Sequence, residues 1–252
     1  MPLLPTLRSA NASPIPILTY HQIDDAPASG AAFRSLYVGP KAFARQMACL
    51  RYLGYRGLSM SDLLPYLSGK KTGKVVGITF DDGYLNNLTH ALPVLQRHGF
   101  TSTCYAVSQR VGQTNFWDQD AGVAQTPLMN AGQLQRWVAG GQEIGAHTRN
   151  HARLTQVDAS TAMSEIAGGK TELEALIGQP VTQFCYPYGE FSPDHVDMVR
   201  RAGFASATTT QRSRCHMAED LLQLPRVPVL RATTLPVLWL KLATAYEDRR
   251  RA

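Results

Sequence analysis

Two adjacent carboxylates, Asp81 and Asp82, stand at the end of the apolar run Val75–Phe80, within Ile78-Thr79-Phe80-Asp81-Asp82-Gly83-Tyr84. Side chains alternate along a strand, so neighbouring aspartates share one pocket only where the strand stops and Gly83 lets the backbone turn. One can then hold a metal while the other handles protons. Further along, His147-Thr148-Arg149-Asn150-His151 follows a strand-like stretch at residues 142–146. Two histidines at i and i+4 can converge on one ion, and a carboxylate completes an N/N/O set with room for water, as catalytic zinc-type centres use. Alone, so short a histidine pattern reads better as a solvated turn. A second strand end bearing two aspartates favours the metal.

With Tyr186-Pro187-Tyr188-Gly189, these residues resemble the signatures of the polysaccharide deacetylases of the NodB-homology fold, a class of metal-dependent carbohydrate esterases. The matching stretches are Thr79-Phe80-Asp81-Asp82-Gly83, His147-Thr148-x-x-His151 and the aromatic-proline segment. Their order and spacing agree with the family over roughly residues 16–229. The resemblance implies an α/β fold, a distorted (β/α)7-type TIM-like barrel. It implies one divalent ion, zinc first with cobalt or nickel as alternatives, on Asp82, His147 and His151, and Asp81 as the base for a metal-bound water. A divalent ion lowers the pKa of such a water to about 7. The hydroxide would attack an acetamide carbonyl, with the ion and a backbone N–H near Tyr188 stabilising the oxyanion. The amine leaves only if protonated, so a general acid is needed.

Two departures from the family pattern bear on that chemistry. Many members take the acid from a late Leu-x-Leu-x-His segment, which here reads Leu222-Gln223-Leu224-Pro225-Arg226. The chain instead carries Leu18-Thr19-Tyr20-His21 at its first strand end, similar to the circularly shifted arrangement of the poly-N-acetylglucosamine deacetylase branch. First and last strands of a closed barrel are neighbours, which makes His21 the candidate acid; a histidine bonded in the barrel rim is the competing reading. Cys185 stands near where many relatives carry an arginine that orients the catalytic aspartate, and a thiol cannot replace a guanidinium fork. Arg226, between Pro225 and Pro228, is a candidate source of that charge, with an ordinary surface arginine as the alternative.

Around these groups, Trp117 and Tyr188 are candidate platforms for sugar rings and Pro187 a further substrate-binding candidate, whereas Trp137 and Trp239 fall on helices and read as core. His90, His98, His195 and His216 read as surface or cap residues, and Asp24-Asp25 as a solvated loop or part of the mouth.

The elements that position the candidates alternate between strand and helix, which argues for βα units around a parallel sheet. Strands are expected at residues 17–20, 57–60, 75–80, 101–107, 143–146, 181–186, 204–209 and 222–227. Helices are expected at 41–53, from a cap at Ser59 or Ser61 through Leu67, at 86–98, 130–139, 159–177, 192–202 and from Thr233 or Thr234 to about Arg250. Gly168-Gly169 weakens the middle of one. Residues 108–128 lack periodicity and read as a surface excursion beside the site. In a (β/α) barrel, catalytic groups sit at the C-terminal ends of strands, and Asp81-Asp82, His147 and Pro187-Tyr188 each follow one directly.

A chain of 252 residues with 44% hydrophobic and 17% charged residues suits one globular domain, expected at 16–252 after an N-terminal extension at 1–15. The net charge is +6, and Arg249-Arg250-Arg251 supplies half of it. No basic helix interleaved with aromatics is present, which argues against a nucleic-acid partner; the acetylated glycan is the partner that the resemblance implies. The four cysteines, Cys49, Cys104, Cys185 and Cys215, form no C-x-x-C pair. No stretch near the N-terminus is apolar enough for a signal peptide, and residues 235–245 are too short to span a bilayer, so a cytoplasmic location is expected.

The function expected is metal-dependent removal of N-acetyl groups from an N-acetylhexosamine-containing polysaccharide or glycan precursor. Another amide or ester deacylase on the same scaffold, or a catalytically weak glycan-binding protein, are the alternatives.

Overall fold

The structure, a computed structural model, describes residues 13–217 and 219–251. Eight parallel strands form its sheet: β1 (Ile17–Tyr20), β2 (Arg56–Leu58), β3 (Val75–Phe80), β4 (Thr103–Ala106), β5 (Glu143–Ala146), β6 (Gln183–Cys185), β7 (Ser206–Arg212) and β8 (Leu224–Pro228). β1 pairs with β8 on one edge and β3 on the other, closing seven strands into a ring. β2 is the eighth and does not complete the wall. It pairs with Val75, Val76 and Gly77 at the start of β3, while β4 pairs with Thr79 and Phe80 at its end. The result is the expected (β/α)7-type barrel. Residues 1–12 of the expected N-terminal extension lie outside the described residues; Ile15 already exchanges backbone hydrogen bonds with Cys215 at 2.8 Å.

The wall is wound from α1 (Pro40–Tyr52), α2 (Met60–Leu67), α3 (Leu92–His98), α4 (Ala131–Ala139), α5 (Ala159–Ile177), α6 (Pro193–Arg201) and α7 (Leu235–Ala243). Strands covered on both sides read as near-continuous apolar runs, and successive residues divide between two cores. Leu18, Tyr20, Ile78, Phe80, Ile144 and Phe184 pack outward against the helices, with Trp137 wholly buried among them. Ile17, Val75, Tyr105, Cys185 and Leu224 point inward and pack with Met60 and Leu63 of α2. Helix starts follow their capping residues: the Ser59, Asn130 and Asp158 side chains accept from the amides of Asp62, Gln133 and Thr161.

The helix expected over 86–98 is helical throughout but irregular: residues 87–91 form a π-turn, α3 proper follows from Leu92, and Pro93 sits directly after the wider turn. Two expectations are corrected. The last helix ends at Ala243 rather than near Arg250. Lys241 is buried, its ammonium donating to the Pro228 carbonyl and to Glu247, so the chain must fold back after Thr244 to bring that carboxylate in. The C-terminal arginines are accordingly tied down: Arg251 forks onto Glu219 and Arg250 donates to the Tyr246 carbonyl. Trp239 is 47% exposed, not core.

Gly145 of β5 is where the lumen is tightest: a Cβ there would lie 2.4 Å from the Tyr105 ring and 3.0 Å from the Gln183 carbonyl oxygen. Gly145→Ala is therefore expected to destabilise the fold by about 1–3 kcal/mol despite the better strand residue. Chemical denaturation checks this, and an unchanged midpoint would mean that Tyr105 is free to move.

Candidate functional site

At the end of β3, the Asp81 N–H donates to the Tyr20 carbonyl at 3.0 Å, continuing the ladder with β1 and turning the Asp81 side chain into the barrel. Asp82 then adopts a left-handed backbone with φ 74°, and Gly83 follows at φ 81°. Asp82 itself, and not Gly83 alone, makes the turn that brings both carboxylates to one cavity. A left-handed non-glycine residue costs about 1–2 kcal/mol, which the surrounding barrel must hold in place.

Asp81 meets Arg226 at the end of β8. Arg226 Nη1 and Nη2 donate to Asp81 Oδ1 and Oδ2 at 2.6 and 2.7 Å, a two-pronged contact that fixes the carboxylate plane. Nη1 also donates to Thr79 Oγ1 at 3.1 Å, Nε donates to the Thr209 carbonyl at 2.9 Å, and Nη2 lies 3.3 Å from Cys185 Sγ. Arg226 is 1% exposed, so it is no surface arginine. Burial would push the Asp81 carboxyl up, but the guanidinium charge and hydrogen bonds outweigh it and hold Asp81 well below the usual carboxylate range. On the open side, His21 Nε2 stands 3.8 Å from Asp81 Oδ2.

Asp82 points the other way, toward the loop after β5. His147 Nε2 lies 3.6 Å and His151 Nε2 3.4 Å from Asp82 Oδ1. The His147 Nδ1–H donates to the Cys185 carbonyl at 2.7 Å, which orients the ring with Nε2 toward Asp82. Burial lowers the pKa of His151, keeping its ring neutral against the pull of Asp82. The loop turns sharply, with Thr148 and His151 both left-handed. Glu165 of α5 holds it from below, its carboxylate accepting from the Arg149 and Asn150 amides at 2.9 and 2.8 Å. From the other side, the Ser108 and Gln109 amides donate to the Thr148 and Arg149 carbonyls.

Asp82, His147 and His151 are buried and offer ligand atoms within 4.8 Å of one another. Two imidazole nitrogens and a carboxylate oxygen converging on one point fit a divalent ion of borderline character. These three residues are the ones that would hold it. The geometry thus joins the expected ligands and places Asp81, His21 and Arg226 beside them.

His21, both aspartates and both histidines share a cavity of about 140 Å³ with Trp117 and Tyr188. Trp117 stacks on the His151 ring at 4.6 Å, and Tyr188 meets the same ring edge-on at 4.6 Å. Pro187 is buried behind Tyr188 and does not line the cavity. Three contributors escaped the sequence reading. Phe33, left-handed at φ 52° and 47% exposed, forms part of the rim, and Asp118 lies close enough for burial and the Asp82 charge to raise its pKa. Glu165 carried a signal that could have been used: it falls on the buried stripe Ala162, Glu165, Ile166, Gly169, where an acid needs partners.

The polysaccharide deacetylase family model matches residues 68–207, more than half of the chain. The chain belongs to that family. The Bacillus subtilis protein YxkH is 27% identical over 225 residues, covering 88% of this chain and 74% of its own. A poly-beta-1,6-N-acetyl-D-glucosamine N-deacetylase of Staphylococcus epidermidis is 22% identical over 202 residues, covering 76% of this chain and 68% of its own. Among solved structures, the Streptococcus pyogenes deacetylase PplD in complex with acetate has the same fold, with a TM-score of 0.80 at 24% identity over 92% of this chain and 99% of that one.

Gly168 and Gly169 serve a purpose besides weakening α5, because a Cβ on Gly169 would stand 3.0 Å from the Thr148 carbonyl carbon. Alanine is the better helix former by about 1 kcal/mol, so Gly169→Ala should stabilise α5 unless this contact matters. We expect no gain in thermal midpoint and zinc affinity lower by about tenfold, read by calorimetric unfolding and zinc titration. A raised midpoint with unchanged affinity would show that the loop yields freely.

Proposed function

We propose that this protein is a metal-dependent hydrolase that removes N-acetyl groups from an N-acetylhexosamine-containing polysaccharide or glycan precursor. The observation that carries the reading is the convergence of Asp82, His147 and His151 beside an Asp81 gripped by Arg226 and faced by His21, all on one cavity. The name of the Staphylococcus epidermidis relative supports a poly-N-acetylglucosamine type of substrate.

A divalent ion bound by Asp82, His147 and His151 would polarise the amide carbonyl and bring the pKa of a water molecule to about 7, which a carboxylate as weakly basic as Asp81 requires. Asp81 stays ionised throughout the neutral range and takes a proton from the attacking water. Arg226 acts through Asp81, as a positioning residue that fixes the orientation of its acceptor oxygens. His21 delivers a proton to the departing nitrogen, so the products are acetate and a free amine. Trp117 and Tyr188 offer apolar surface to the sugar ring and restrict water at the cavity.

The test is acetate release from β-1,6-linked N-acetylglucosamine oligomers by metal-stripped and reloaded protein. Stripping should abolish release, and zinc, cobalt or nickel should restore it. Asp81→Asn and His21→Ala should each lower kcat by about 10²–10⁴-fold with metal content unchanged. A loaded protein that releases no acetate would direct attention to other acylated substrates.

Arg226 needs a separate variant, since truncating one partner of a buried ion pair costs about 3–5 kcal/mol and Arg226→Ala would confuse unfolding with catalysis. Arg226→Lys keeps the charge but loses the fork. We expect kcat to fall by at least about tenfold at unchanged metal content. Unaltered kcat would remove Arg226 from the mechanism.

A further inference from the structure

We propose that the wall formed by α1, α3 and α7 docks onto an anionic phospholipid membrane, holding the mouth of the barrel beside glycan at the bilayer surface. α1 packs against both α3 and α7. None of the three helices contains an aspartate or glutamate, whereas Lys41, Arg45, Arg51 and Arg97 are all exposed on them. Among the described residues, none of these four cations enters an ion pair. Other cations, Lys70, Lys71 and Lys74 among them, stand outside the ion pairs too; what marks this wall is that four such charges lie on three packed helices with no acid among them.

Charge alone would suit any polyanion; the apolar side chains beside it select a bilayer. The outward stripe of α7 is Leu235, Trp239 and Ala243, spaced by four, with Leu235 38% and Trp239 47% exposed. The outward stripe of α1 is Lys41, Arg45, Ala48 and Tyr52, with Tyr52 90% exposed. Between the two helices lies a cleft of about 330 Å³ lined by Ala42, Arg45, Leu235 and Pro236 among others, which puts a guanidinium at the lip of an apolar groove. A phospholipid presents the matching pair, a phosphate above an acyl chain. Tryptophan and tyrosine with surrounding arginine and lysine are the side chains that settle at the headgroup boundary. No helix of the described residues is long and apolar enough to cross a membrane, so the attachment would be interfacial.

The wall adjoins the mouth. The Arg231 amide, at the turn leading into α7, donates to the Ser35 carbonyl at 2.8 Å, two residues beyond Phe33 of the cavity rim. Arg34 and Arg231 line a further cavity there with Asp25, the acid that this edge meets. A bilayer against α1 and α7 therefore brings membrane-attached glycan to the cavity; that step rests on the deacetylase reading, whereas docking itself does not.

The test is co-sedimentation of the full chain with phosphatidylcholine vesicles with and without phosphatidylglycerol, beside binding to soluble polyphosphate. Binding should require phosphatidylglycerol and fall with added salt. It should weaken by about a hundredfold in Lys41→Glu/Arg45→Glu and by about tenfold in Trp239→Ser. All substituted positions are exposed, and an unchanged thermal midpoint certifies the fold of each variant without reference to turnover. No binding to phosphatidylglycerol vesicles, or binding indifferent to these substitutions, overturns the proposal. So does charge-dependent binding of polyphosphate and vesicles alike to which Trp239 contributes nothing. Vesicle binding by a protein that releases no acetate would leave the docking surface standing and overturn only the substrate.

Discussion

The ion pair between Asp81 and Arg226 is buried at the point where the barrel closes, and most of the surrounding architecture serves to make it tolerable. Moving two charges out of water costs several kcal/mol per ion, recovered only when geometry is good and the remaining donors are used. Here the fork takes both carboxylate oxygens, and the other guanidinium nitrogens and protons reach the Thr209 carbonyl, Thr79 Oγ1 and Cys185 Sγ. Thr79 passes the network on by donating to the Leu18 carbonyl at 2.8 Å, so β1, β3 and β8 are tied through the same atoms. Closure of the seven-stranded ring and orientation of Asp81 are thus one structural event. The small Cys185 side chain fits this arrangement, since a longer residue at that position would compete with the guanidinium for the space beside Asp81.

Fixing Asp81 inside the barrel leaves Asp82 to find the histidines, and it does so through backbone conformation. Among the described residues five non-glycine residues are left-handed, and four of them, Phe33, Asp82, His151 and Tyr188, line the same cavity. Such residues persist where the surroundings over-determine them. Glu165 supplies part of that determination by gripping the Arg149 and Asn150 amides, while the close approach of Gly169 to Thr148 supplies another part. The candidate ligands are therefore held by α5 and by residues 108–109 before anything binds, which is the preorganisation a metal centre requires.

Much of this was legible from residue types, and the limits of legibility have physical causes. Strand order and the placement of Asp81, Asp82 and His147 at strand ends follow from apolar runs that stop abruptly, a local signal. Arg226 was visible as an oddity between prolines, but its partner lies 145 residues away in sequence, and only closure of the barrel brings the two together. The left-handed turn at Asp82 was hidden because Gly83 next to it suggested that glycine would carry the turn alone. Trp239 was misplaced for a different reason: α7 is apolar around most of its circumference, so no stripe distinguishes its buried residues Leu238 and Leu242 from the outward Leu235 and Trp239. The same uniformity that defeated the periodicity argument is what leaves an apolar surface on the outside of the protein.

The two charge patterns of the molecule are complementary in purpose. In the cavity, Arg226 neutralises Asp81, but Asp82 and Asp118 remain, and the charge of Asp82 helps to raise the pKa of Asp118. A cation is drawn there and an anionic group is turned away. On the α1, α3 and α7 wall, four cations stand without acids, and anions are drawn. Arg34, Arg231 and Arg153 also border the mouth, so the contrast lies between the cavity floor and the wall, and it orients an approaching charged surface before contact. An anionic layer would settle against the wall while the mouth stays open beside it.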